Sequence, residues 1–164
     1  MTAINEISSN DNTENRDGII TQLNSLLRGE ISAAETYKQA IDKVDDAKHP
    51  TIDASLLRQI QEEHGRAAQG IRQRIQELGG EAADSSGAWG VWASVVAGTM
   101  GALGGQAGAL KALKEGEEHG LKDYKEAIDD VDAMTAQLIE NQLIPAQQRH
   151  INLLDQLITA ATKA

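Results

Sequence analysis

The chain repeats itself. Gly29-Glu30, followed by Tyr37-Lys38-Gln39-Ala40-Ile41-Asp42-Lys43-Val44-Asp45, returns as Gly116-Glu117, followed by Tyr124-Lys125-Glu126-Ala127-Ile128-Asp129-Asp130-Val131-Asp132. In each copy the glutamate and the tyrosine are separated by two helical turns and share one face. An amphipathic segment cannot cover its own apolar stripe, so two related copies with their partners point to a bundle built around a pseudo-twofold axis. With no Phe and only two Trp and two Tyr, the composition favours helix over strand. The expected class is all-α, a four-helix bundle with internal duplication of a helix pair.

The apolar pattern places the helices. From Ile19 to about Asp46, Leu23, Leu26, Leu27, Ile31, Ala34, Ile41 and Val44 recur at three- and four-residue steps, with Glu30 and Tyr37 on the same stripe. Pro50 ends this helix, since the residue before a proline resists the α conformation, and Thr51 or Asp53 can cap the next. Helix two is predicted from about Ile52 to Leu78, ended by Gly79-Gly80, with His64 inside its stripe and Gln61 one turn earlier. Helix three is predicted over roughly Ala109 to Val131, with Glu117 between Gly116 and Gly120. Helix four runs from about Ala133 to Ala161 with His150 central. Glycine beside a buried acid implies close helix approach or room for a ligand. Pro145 predicts a kink or break near Leu143.

Residues 1–17 are polar and lack apolar periodicity, which predicts a disordered tail, and residues 18–164 are expected to form one domain. A crossover at about 80–109 is rich in glycine and expected to hold a short helix around Trp89 to Met100. Its length allows helices two and three to run parallel. Its uncharged run and Gly-xxx-Gly spacings test as a membrane span, but it lacks Leu and Ile clusters and basic flanks, so a crossover packed on the bundle is the better reading. Exposed Trp89 and Trp92 would make it a surface for a protein partner.

The formal charge of −10 argues against nucleic-acid binding, which relies on clustered Lys and Arg. There is no cysteine, so thiolate and iron–sulfur chemistry are excluded and any metal must take oxygen and imidazole nitrogen donors. The first residues lack the basic and apolar regions of a secretory signal, and a cytoplasmic location is the expectation.

Counting along the helices at 1.5 Å per residue puts Glu30 and His64 within roughly 6 Å of one level, and Glu117 and His150 match similarly. Glu30, His64, Glu117 and His150 are therefore the candidate metal ligands, with Gln61, Gln147, Tyr37 and Tyr124 as neighbours. Two readings stand side by side. One divalent ion, Zn, Fe or Mn, is neutralised by two Glu and two His. A metal-free Glu/His/Gln/Tyr network can satisfy its own polar groups and set helix register, leaving a scaffold or protein-interaction module. No serine-hydrolase, phosphate-loop or zinc-protease motif is present.

Two Glu-x6-Tyr helices, two helices with a central His and a long crossover resemble the ferritin-like superfamily. Leu26-Leu27-Arg28-Gly29-Glu30, Arg74-Ile75-Gln76-Glu77-Leu78-Gly79-Gly80, Gly87-Ala88-Trp89-Gly90 and Leu113-Lys114-Glu115-Gly116-Glu117-Glu118-His119-Gly120 resemble a bacterial family of functionally uncharacterised ferritin-like domains. The resemblance implies metal handling or oxidative stress as the setting and a homodimer as the superfamily habit. Di-iron members carry Glu-x-x-His on two helices, and here the first position of each motif is Gln61 or Gln147. Glu62 and Glu63 point roughly 200° and 100° away from His64 around the helix. One ion, or a degenerate two-metal site, is then expected in place of a ferroxidase centre.

Overall fold

The computed structural model describes residues 3–45, 53–87 and 105–163, and all regular structure among them is helical. Helix α1 is Ala3–Asp45, α2 is Ala54–Glu77 and α3 is Gly105–Ala127, which tightens into a 3₁₀ turn at Ile128–Asp130. Helix α4 has three parts, an opening α segment Ala133–Leu138, a π turn Ile139–Leu143 and a long α segment Ile144–Lys163.

Cross-helix bonds fix the directions. Asp45 pairs with Arg58, Glu30 with His64, and the Asn24 amide with the Glu81 carbonyl, so α2 runs back along α1. Lys114 pairs with Asp155 while the Gln147 amide donates to the Glu117 carbonyl, so α4 runs back along α3. Arg74 reaches Asp132, and Glu63 reaches His150, which makes α2 antiparallel to α4 and therefore parallel to α3. This is the four-helix bundle that the duplicated pattern predicts.

The caps follow from local chemistry. Asp53 accepts from the Ser55 amide at the start of α2, and Gly79 ends it at φ 78°, a left-handed conformation that suits glycine. At α4, Asp132 accepts from the Met134 and Thr135 amides and also holds Arg74 of α2 at 2.8 Å. Asp132→Ala removes both, and a loss of about 1–2 kcal/mol in urea unfolding is expected. Pro145 has no N–H to give to Asn141, and the backbone answers with the π turn, where the Ile144 amide bonds to the Ile139 carbonyl. The wide turn keeps Ile139 and Leu143 both in the core.

Residues 3–17, predicted as a disordered tail, are instead the first part of α1. Extending a formed helix adds one hydrogen bond for each residue fixed, without a new nucleus. Residues 12–18 are exposed, so those residues gain no burial. The expected short helix and the Trp89 and Trp92 surface fall at 88–104, outside the described residues. Among the described residues no helix is long and apolar enough to cross a membrane.

The core has two apolar layers. Ile41, Val44, Leu57, Ile60, Leu110 and Leu154 belong to the first, and Leu23, Leu27, Ile71, Ile75, Ile139 and Leu143 to the second. Between them lies a polar layer.

Candidate metal centre

Each helix contributes to that layer: Glu30 and Tyr37 from α1, His64 from α2, Glu117 and Tyr124 from α3, and His150 from α4. All six are buried, His64 at 1% exposure and Glu117 at 2%. His64 lies between two carboxylates, with Nδ1 2.9 Å from Glu30 Oε2 and Nε2 2.9 Å from Glu117 Oε1. His150 places Nδ1 3.2 Å from Glu117 Oε2 and Nε2 3.1 Å from Glu63 Oε2. The tyrosines cross the bundle. Tyr37 donates to Glu117 Oε1 at 2.6 Å, and Tyr124 donates to Glu30.

Glu117 thus joins both imidazoles, whose ring centres are 4.9 Å apart. One ligand atom from each of His64, Glu117 and His150 lies within 4.8 Å of the others. Glu30 stands on the far side of His64, bonded to the ring nitrogen that faces away from Glu117.

The charges are strongly coupled. Burial pushes His64 down, but the carboxylates of Glu117 and Glu30 outweigh it and hold the imidazole well above its ordinary 6.5. Burial pushes Glu117 up, but the His64 charge and the bonds from both histidines outweigh it and bring the carboxyl from 4.5 to about 2. Burial, with Glu117 or Glu30 adding to it, raises both tyrosines well above 10.0, so they remain O–H donors.

The sign of the pH dependence follows for the metal-free protein. The His64 contribution is complete below about pH 6.5 and is lost as pH rises through the higher folded value. The Glu117 contribution is complete above about pH 4.5 and is lost as pH falls toward about 2. Urea unfolding in the presence of a chelator is expected to show a stability maximum between these limits, falling on both sides.

A family model described as a domain of unknown function, DUF2383, matches residues 18–130. The chain belongs to the DUF2383 family. The match covers Glu30, Tyr37, Glu63, His64, Glu117 and Tyr124, while Gln147 and His150 lie beyond it. No curated protein and no solved structure matches the chain.

In this DUF2383 chain the four residues selected by helical level converge, but they play unequal geometric parts. His64, Glu117 and His150 form the compact group, and Glu30 backs His64. Gln61 and Gln147 point elsewhere: their amides donate to the backbone carbonyls of Ala34 and Glu117, at 3.3 and 3.0 Å. Gly120 makes room for the second of these, since a Cβ there would stand 2.8 Å from the Gln147 amide nitrogen.

Glu63 is the residue that sequence reasoning missed. Its rotation away from the face of His64 carries it toward α4, where it meets both His150 and Arg149. Burial pushes its carboxyl up, but bonds from Gln59, His150 and Arg149 give a net lowering. The signal lay in the duplication, because Glu63-His64 in the first half corresponds to Arg149-His150 in the second. The pseudo-symmetry is broken by an ion pair, Glu63 with Arg149 at 3.2 Å.

Proposed function

We propose that the polar layer holds one divalent metal ion in a ferritin-like bundle, with His64, Glu117 and His150 as the ligands. The observation that carries this reading is that each histidine turns one ring nitrogen to Glu117 and the other to a separate carboxylate, Glu30 or Glu63. A carboxylate behind a metal-bound imidazole holds its tautomer and orientation and strengthens it as a ligand. The donor set suits Zn, Fe or Mn. The ion's two charges would be met by Glu117 and Glu30, while Glu63 is answered by Arg149. The two glutamines committed to backbone carbonyls supply no further acid, which favours one ion over a di-iron pair. By analogy with ferritin-like proteins, the role would be metal handling or defence against oxidants.

The second reading, a scaffold whose network sets helix register, also has a specific observation behind it. Among the described residues, no buried side-chain nitrogen or oxygen lacks a hydrogen-bond partner, so the layer is satisfied without an ion. Elemental analysis of protein purified without a nickel column separates the two. The metal reading expects about one ion per chain, lost in a Glu117→Ala/His150→Ala variant. Metal well below one equivalent, or unchanged in the variant, would leave the scaffold.

A further inference from the structure

A cavity of about 70 Å³ lies between α1 and α3, against the polar layer. Its inner wall includes Glu117, Tyr37, Tyr124 and His64, all buried, and its outer wall includes the part-exposed Gly29, Ala33, Gly116 and Asp123 and the exposed His119. The space therefore runs from the bundle surface to the Glu117 side of the cluster.

Two glycines border it. Gly29 and Gly116 precede Glu30 and Glu117 in the two repeats, and both line the cavity. A Cβ built on either would meet nothing within 4 Å among the described residues. Close helix approach therefore does not account for them, in contrast to Gly120 and its contact with Gln147. Glycine inside a helix is less stable than alanine, so both repeats give up helix stability at the position that borders the cavity.

The chemistry of the walls narrows the occupant. Leu26, Ala33, Ala112 and Leu113 are apolar, and the polar groups at the inner end already have partners: both Glu117 oxygens accept bonds, and both tyrosine hydroxyls donate. A water needs two to four polar partners, and an anion would lose its hydration here beside the Glu30, Glu117 and Asp123 carboxylates without gaining an opposite charge. The volume is about half of the roughly 150 Å³ that accommodates benzene.

We propose that the space between α1 and α3 is an entry pocket for a small uncharged molecule of about two to four heavy atoms, leading it to the Glu117 side of the cluster. This deepens the metal reading, because the inner end would place such a molecule beside the ion's carboxylate ligand. The pocket itself is formed by protein atoms alone, and xenon probes it without any ion.

Xenon is the probe, read by ¹²⁹Xe chemical-shift titration and by anomalous scattering from pressurised crystals. One xenon site is expected beside Gly116 and Ala33 in the wild type, with affinity at least tenfold weaker in Gly116→Val. Gly116→Ala is expected to melt at a higher temperature than the wild type while remaining folded. No xenon in the wild type, undiminished binding in Gly116→Val, or a lower melting temperature in Gly116→Ala would overturn the proposal. Metal content measured on the same preparations keeps the two readings apart: xenon bound in a chain that takes no metal supports the pocket and rejects the ion.

Discussion

Glu117→Ala lowers the unfolding free energy by about 3–5 kcal/mol at neutral pH in metal-free protein. Both carboxylate oxygens are used, Oε1 by Tyr37 and His64 and Oε2 by His150. Removing the acid leaves His64 with one of its two carboxylates and deprives a buried phenol and a second imidazole of their acceptors. The cost is that of buried polar groups left unpaired, and it exceeds the net value of the bonds removed. Glu117→Gln keeps the volume and one carbonyl acceptor but not the charge, and about half of that loss is expected. Equilibrium urea unfolding measures both. A Glu117→Ala protein within about 1 kcal/mol of the wild type would show that the layer is not a coupled network.

The two histidines are expected to differ. His64→Leu removes the cation between Glu30 and Glu117, both buried, and a loss of about 3–5 kcal/mol is expected. The deficit should narrow as pH falls, because a buried carboxylate that has lost its cation favours its protonated form. His150→Leu is milder, at about 1–3 kcal/mol. Its two partners keep others: Glu117 retains His64 and Tyr37, and Glu63, whose side chain is 15% exposed, retains Arg149 and Gln59. Paired unfolding curves at two pH values test the order. Equal losses at both sites would mean that the asymmetry created by Glu63 and Arg149 has no energetic weight.

Much of the site could be read along single helices. The repeated Glu-x6-Tyr segments put Glu30 with Tyr37 and Glu117 with Tyr124, and counting residues from the turns brought His64 and His150 to the same depth. Such reasoning works because helical rise and rotation are constant. It fails where the answer depends on which helices are neighbours. Glu63 lies off the face of His64, and only the packing of α2 on α4 shows that it faces His150 instead. Counting also could not decide which imidazole nitrogen meets which acid, and that choice separates Glu117 at the centre from Glu30 behind it. Pro145 announced an interruption in α4, but its resolution as a π turn depends on keeping Ile139 and Leu143 both buried. At the N-terminus, polarity alone predicted a disordered tail for a stretch that continues α1 from Ala3.

In the proposed site His64, Glu117 and His150 hold one ion while Glu30 orients His64. A cobalt(II) titration of chelator-treated, untagged protein, followed by visible absorption, tests it directly. The expected result is a d–d spectrum saturating at about one equivalent, absent in Glu117→Ala. In Glu30→Gln it should survive with affinity weakened about 10–100-fold, as for loss of a carboxylate behind a ligating histidine. No saturable spectrum in the wild type, or an unchanged one in Glu117→Ala, would rule out this ligand set.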